Sequence, residues 1–528
     1  MTRNALSREL KKAHLLCCLQ SLLFAAYNYI RLSCRSFGAL HLHLFELPAS
    51  RLLVHQPARG RRAGFIRRMR SQFGGGDGLL LLCVVILVMN QAPGSTAALS
   101  DEVPDASAPS MASDARGDRA FDLTLGGYTK IRGAASWPDD DSFYRFMGTD
   151  TYYDGSVELR CTTRTFFGKR AAFELDYEAV SLGGDTRRRS RRLGVEPLPE
   201  LAAFSAFDIP PLNDDRRLFD LAKTLHSTDS SLVYHRLDRL YCTVIPAWGL
   251  ITVGRQAVTW GNGLIFNPMD LFNPFAPTDI ERDYKVGDDM VSTHINLSNQ
   301  MNLQLLSVVR RDPEHHAVRW DQSSQAAKLH AAASTTEFDL MAAKHYDEYV
   351  VGFGSTGYLR DAAWRFDAVW TFLNGKSGLG GFLSLVSNID YSWVWWDKNF
   401  YGLAECYYSG VGEPRGSYGD ALTDTDISLR LARGELFALG RWYLASHVTA
   451  ELHPLFNLSL SLITNLADPS GIVQPRAIWD VAEDVELTFG VNLFWGGDET
   501  EYGGFDLPGT DVTYQAPQSA YLWIAFYF

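Results

Sequence analysis

Ser292 and His294 are the first residues whose types could do chemistry together. Two apart on an alternating stretch, they share one face of a strand, as the nucleophile and base of a barrel-borne hydrolase would. No third group to orient the histidine and no oxyanion site is legible, so the pair reads as polar lining. Glu314, His315 and His316 are metal-ligand types, but adjacent histidines on a loop are more often plain polar surface. No glycine-rich phosphate cradle leads from a strand into a helix, and no CxxCH haem site occurs. Catalysis, a cofactor and a bound metal are therefore not expected. What remains is charge placed to sort ions: Asp270, Asp279, Glu281, Arg282, Asp283 and Lys285 follow one another in a single short stretch. Carboxylates lining a passage favour cations, and arginine or lysine favours anions.

Such charges act only inside a wall, and the periodicity of the chain supplies one. Phe121, Leu123, Leu125 and Ile131 alternate with Asp122, Thr124, Lys130 and Arg132, giving one apolar and one polar face. The same alternation predicts strands near 121–132, 156–167, 171–180, 231–243, 249–260, 289–298, 301–310, 323–334 and 336–346. It continues at 348–358, 362–373, 381–393, 399–409, 437–451, 456–465, 472–480, 485–495 and 520–528, eighteen strands in all. Every second connector is short, for example Gly168-Lys169, Asn299-Gln300, Thr335 and Arg360-Asp361, and the others are mostly long. Short turns at one end and long loops at the other suit an even-numbered antiparallel barrel with apolar side chains outward and polar ones inward. A solenoid would show a fixed repeat, and none is present.

The chain finishes on Ala520, Leu522, Ile524, Phe526 and Phe528 alternating with Tyr521, Trp523, Ala525 and Tyr527. This resembles the terminal strand of bacterial outer-membrane β-barrels, and the resemblance implies handling by the barrel-assembly machinery. In lipid each unpaired backbone group costs several kcal/mol, so the last strand is expected to pair with the first. The 23 Tyr, 30 Phe and 13 Trp residues suit strands and interfacial girdles. Trp393, Trp395, Trp396, Tyr401, Tyr407, Tyr408, Trp523 and Tyr527, at strand ends, are expected to form such a girdle.

Residues 69–98 read as a secretory signal peptide: basic residues Arg67, Arg68 and Arg70 at the upstream flank are followed by the apolar stretch Leu79–Met89 and small residues at Gly94–Ala98. That makes 1–68 an N-terminal extension or the product of a mis-assigned start. The stretch 99–120 reads as a periplasmic linker, and 121–528 as the barrel. Residues 1–100 hold 13 of the 49 Lys and Arg and 3 of the 61 Asp and Glu, which leaves the remainder near −22. Such acidity excludes a nucleic-acid binder, which gains affinity from a basic surface. Past residue 100 only Cys161, Cys242 and Cys406 occur, with no CxxC, so neither a disulfide framework nor a zinc cage is indicated.

From Gly254 to Asp289 the alternation stops. Pro268, Pro274 and Pro277 forbid a central strand, yet Met269, Leu271, Phe272 and Phe275 are too apolar for a loop in water. The barrel interior is the nearest place to pack, and the 261–288 loop is expected to narrow it there, with Asp270, Asp279, Glu281, Arg282, Asp283 and Lys285 at the constriction. Lys130, Arg132, Glu158, Arg160, Arg164, Glu174, Asp176, Glu178, Arg365 and Asp367 should line the lumen, and Arg255 is a further candidate. Gly254-Arg255-Gln256, Trp260-Gly261 and Asn267-Pro268 resemble the GRQ…WG…NP…D pattern of a broad group of porin-like outer-membrane proteins, and Asn399–Glu405 is similar to a second stretch in them. The resemblance covers most of Leu240 to Phe528. It implies a transmembrane antiparallel barrel in the outer membrane of a Gram-negative bacterium, among relatives described as porins or exporters of acidic polysaccharide. The net acidity departs from the polysaccharide exporters.

Together these readings predict an all-β barrel of 16–18 strands that passes small polar solutes by diffusion, with outer-membrane lipid and lipopolysaccharide around it. Two alternatives stand: a non-conducting structural or partner-binding barrel, and a transporter of apolar ligands or polysaccharide. In the loop after 180, Arg187–Arg192 could meet lipopolysaccharide phosphates, although a solvated charge run has the same appearance, and 197–207 and 216–225 could be short helices.

Overall fold

The computed structural model describes residues 121–148, 150–193, 214–272, 274, 276–277, 284–374, 380–416, 418–510 and 512–528. The expected extension, signal peptide and linker lie outside the described residues. The strands are β1 (Asp122–Trp137), β2 (Tyr152–Phe167), β3 (Ala171–Gly184), β4 (Ala222–Ser227), β5 (Ser231–Val244), β6 (Gly249–Gln256) and β7 (Asp288–Ser298). They continue as β8 (Met301–Val308), β9 (Ser324–Ala333), β10 (Thr336–His345), β11 (Glu348–Leu359), β12 (Ala362–Phe372), β13 (Phe382–Trp395) and β14 (Lys398–Ser409). The last are β15 (Trp442–His453), β16 (Phe456–Asn465), β17 (Ser470–Ala482), β18 (Val485–Trp495), β19 (Phe505–Asp506), β20 (Thr513–Tyr514) and β21 (Gln518–Tyr527).

Leaving aside β4 and the short β19–β20 pair, each of these strands is antiparallel to its neighbours, and β21 joins both β18 and β1, closing an 18-strand barrel. The seam is fully laddered. Ile131 faces Ile524 across it, and beyond the strand end Gly127 and Phe528 exchange both backbone hydrogen bonds at 3.0 Å. Every strand expected from alternation is present; β6 stops at Gln256 rather than 260 because the chain turns into the lumen there, and β15 begins at Trp442 rather than 437.

Alternation sets the two surfaces. On β15, Trp442, Leu444, Val448 and Leu452 are exposed on the outer face while Tyr443 and Ala445 are buried inside. The ten steps from Trp442 to Leu452, at about 3.4 Å per residue and a tilt of about 45°, rise about 24 Å, the height of an outer-membrane apolar band. The expected girdle is half right. Trp395 and Trp396 are exposed at the turn end, Trp393 is half-buried on the same outer face between Tyr391 and Phe400, which stack on it, and Tyr408 packs beside Trp442. Tyr401, Tyr407, Trp523 and Tyr527 point inward instead, because each falls on the polar parity of its strand. Trp523 stacks on Tyr521 under Lys130 and Arg132.

Helices are few among the described residues: α1 (Phe143–Phe146), α2 (Asp185–Leu193), α3 (Tyr418–Ala421) and α4 (Thr425–Arg433), all in loops at one end. The expectation of a helix at 216–225 fails. Residues 222–227 form β4, which pairs with Leu232–Arg236 of β5. Since β3 occupies the other edge of β5, and β6 reaches only Leu240 along this one, β4 fills the wall beyond the end of β6.

Candidate functional site

The site is the lumen and the two described arms of the segment that enters it after β6, 257–272 and 284–287. After Gln256 the chain leaves the wall and turns sharply at Gly261, whose φ of +91° favours glycine; a Cβ there would lie 2.1 Å from Asn267 Oδ1 and 2.8 Å from Met269 Cβ. Two strand carboxylates then receive the loop. Asp367 on β12 accepts the backbone and side-chain N–H groups of Asn262, both at 2.6 Å. Glu405 on β14 accepts three successive backbone N–H groups, from Leu264 at 2.8 Å, Ile265 at 3.1 Å and Phe266 at 2.6 Å, plus Asn388 Nδ2 at 3.0 Å. The prolines and glycines of this loop prevent it from bonding its own backbone as a helix or strand would, and these carboxylates satisfy the donors instead.

Apolar packing fixes the rest. Met269 and Phe272 are buried with Val258 and Trp260 against the inner faces of β7 to β12, where Met290, Leu306, Val308, Met341, Val350 and Val369 replace the usual polar lining. Gly352 and Gly354 face inward on β11 and make room: a Cβ on Gly354 would sit 2.6 Å from Asn262 Nδ2, and one on Gly352 3.3 Å from Met269. Trp260 Nε1 donates to Gln304 Oε1 at 2.7 Å, and Phe266 stacks on Tyr407 with ring centroids 4.5 Å apart. The aromatics Tyr407 and Tyr443, inward on β14 and β15, thus bind the loop.

Asp270 and Lys285 are brought together, but not as charges lining a passage. Lys285 Nζ donates to both Asp270 oxygens at 2.6 and 2.7 Å and to Val258 O at 2.7 Å, with both side chains buried. Burial pushes the Asp270 carboxyl up and the Lys285 amine down from their ordinary values. The pair clips the two arms of the loop together. Asp279, Glu281, Arg282 and Asp283 lie outside the described residues.

The wall of β1, β2, β3 and β5 is different in kind. Arg160 Nη2 donates to Asp176 at 2.9 Å and Asp238 at 2.8 Å, Arg164 pairs with Glu174 at 3.0 Å, Arg132 reaches Glu158 at 3.5 Å, and Arg236 pairs with Glu178. A β-bulge in β5 turns Asp238 inward beside Arg239, and Asp238 also accepts Gly287 N at 3.2 Å, fastening the returning arm. Tyr284 on that arm stacks on Tyr128 of β1, 6.1 Å away and 7° from parallel, and its ring lies 4.1 Å from the Arg160 guanidinium. Lys130 is buried between the Tyr128 and Trp523 rings. Of the expected lumen residues, this wall gathers Lys130, Arg132, Glu158, Arg160, Arg164, Glu174 and Asp176 into one grid of both signs. Arg365 stands apart, bonded to Asp390 at 3.0 Å and Asn388 at 3.2 Å. Asp367 is a clamp, and Arg255 is a strut held by Asp289 and Asp214.

Towards the loop end, ion pairs tie separate loops to one another. Arg255 joins β6 to Asp214 and Asp289, Arg310 meets Asp288 at 2.6 Å, and Arg430 on α4 grips both oxygens of Glu348. Segments 410–441 and 496–517 fold inward as well, packing Tyr418, Ile427, Leu431, Leu439, Tyr502 and Phe505 against Ile463, Ile472 and Phe494 of the wall. Glu501 sits in this apolar mass, accepting Leu439 N at 2.6 Å and Asn465 Nδ2 at 2.8 Å as well as the Tyr443 hydroxyl. Ser292 is buried with its hydroxyl on Gln256 Oε1, and His315, largely exposed, contacts Asp312. Among the described residues no cluster of three or more metal-ligand side chains occurs.

The chain is thus a closed antiparallel barrel with an occupied interior. No family model and no curated protein matches it. Solved structures similar to it include OccAB3 of Acinetobacter baumannii, at 9% identity over 77% of this chain and 99% of that one, with a TM-score of 0.44. A BenF-like porin from Pseudomonas fluorescens Pf-5 matches at 9% identity, 77% and 98% coverage and a TM-score of 0.44. OprD of Pseudomonas aeruginosa matches at 10% identity, 78% and 97% coverage and a TM-score of 0.43. The barrel architecture itself stands on the strand pairing described above.

Proposed function

We propose that the protein is an outer-membrane channel through which small polar solutes diffuse, in the envelope of a Gram-negative bacterium. The supporting observation is the division of the lumen: residues 257–272 pack on the β7 to β15 side and residues 284–287 fasten to the β1, β2, β3 and β5 wall, whose grid of paired charges buries Arg160 and Asp176 but leaves Arg132, Glu158, Arg164 and Glu174 partly open to the interior. Solutes pass along that grid, and Tyr284 narrows the route. Because the grid is close to neutral, discrimination between cations and anions is weak. The loop end faces outward, and lipid and lipopolysaccharide surround the wall. Purified protein in planar bilayers should give discrete conductance steps, and Tyr284→Ala should enlarge them. Silence in both proteins would favour the second reading, a sealed structural barrel, for which the apolar packing of 410–441 and 496–517 across the loop end is the supporting feature.

A further inference from the structure

An arginine-bearing helix begins where the wall meets its upper aromatic edge. Tyr153 on β2 is 65% exposed on the outer face, and Trp137 at the end of β1 is exposed with it. The Tyr153 amide donates to Asp185 Oδ2 at 3.1 Å, and Asp154 accepts Thr186 N at 3.1 Å and Thr186 Oγ1 at 2.6 Å, so the first turn of α2 is pinned to that edge. Two arginines fix its flanks. Arg187 donates to Thr228 O at 3.2 Å and Ser227 Oγ at 2.9 Å, and Arg189 donates to the carbonyls of Met147 at 3.0 Å and Gly148 at 2.8 Å. What is left is one exposed face with Arg188, Arg191 and Arg192 at i, i+3 and i+4. Arg188 pairs with Asp185, whereas Arg191 and Arg192 have no partner among the described residues.

We propose that this face holds the phosphate groups of lipopolysaccharide in the outer leaflet. At about 1.5 Å per residue, Arg191 and Arg192 stand about 10 Å along the helix from Asp185, a span on the order of the depth of a polar head-group layer. Guanidinium groups bind phosphate by paired hydrogen bonds, and a helix already tied down on its flanks loses little freedom on binding. Acyl chains of the same molecule would lie on the outer face below, where Val157 is exposed. That continuity of apolar wall and cationic face is what selects a phosphorylated glycolipid over a free phosphate. The proposal rests on the outer-membrane part of the reading above and not on conduction.

Full-length protein in detergent, stripped of lipid, is offered diphosphoryl lipid A or lipid A dephosphorylated at both positions, and retained lipid is measured by native mass spectrometry. Wild type should prefer the diphosphoryl form. The R191Q/R192Q variant should lose about tenfold in that preference, as expected for removing a charge-assisted contact, without change toward the dephosphorylated form. R188Q, which removes an arginine already paired, should behave nearly as wild type. Equal retention by R191Q/R192Q and wild type overturns the proposal, as does full displacement by millimolar inorganic phosphate. Cell fractionation of the same variants separates the two readings. Correct outer-membrane placement without phosphate-dependent binding sinks this proposal alone, and recovery elsewhere sinks both.

Discussion

Replacing Glu405 with Ala should release the lumen loop without unfolding the barrel. The Glu405 carboxylate is buried and takes three backbone N–H groups of residues 264–266. Each buried donor left bare costs about 1–3 kcal/mol. The loop can shift and water can enter the space vacated, so the loss retained is near the lower bound, about 3 kcal/mol for the three. That raises the undocked fraction of the loop by about a hundredfold, at a factor of ten per 1.4 kcal/mol. Single-channel recording should show added open-channel noise and a larger mean conductance, and limited proteolysis should cut within 257–287 while the barrel keeps its heat-modifiable migration. Glu405→Gln should fall between, because the carboxamide keeps one acceptor oxygen but turns an N–H2 toward amide donors. A folded Glu405→Ala barrel with wild-type noise, conductance and protease resistance would refute the clamp.

Leu522 lies at mid-strand on the outer face of β21, 49% exposed, so Leu522→Arg should cost about 2–4 kcal/mol in lipid and little in loop docking, read from urea unfolding in liposomes. Glu501, outside the spanning strands, has its carboxyl pushed up to about 7 by burial. Its folded value exceeds the ordinary 4.5, so the proton it keeps stabilises the loop packing fully below that range, and this is lost as pH rises through about 7. Hydrogen-exchange protection of the Leu439 amide, corrected for intrinsic rates, should therefore fall across that window in wild type and stay flat in Glu501→Gln. An equal fall in both would assign the change to other groups.

The wall was readable because a period of two is a local property: each strand announces its own faces, and eighteen of them followed from alternation alone. The same parity, followed strictly, places Trp523 and Tyr527 with Tyr521, opposite Leu522, so their inward position was legible and the girdle assignment ran against it. The clamp was not. Glu405 meets partners about 140 positions earlier in the chain, and no spacing rule links a carboxylate to bare amides at that separation. Nor does anything local mark Asp270 and Lys285 as each other's counter-charge, since both lie in a segment without periodicity. Two inward glycines, Gly352 and Gly354, were the available hint, because a missing side chain on a lumen face signals that something comes close.

β4 gives the inner segment a hidden debt to the exterior. By diving inward after Gln256, the chain leaves the upper edge of β5 without a neighbour, and Leu232–Arg236 would present bare amides and carbonyls at the rim. A borrowed six-residue patch from an earlier loop closes that opening. Obstruction and patch are therefore one joint device, and shortening either in isolation would tear the rim that the other keeps whole.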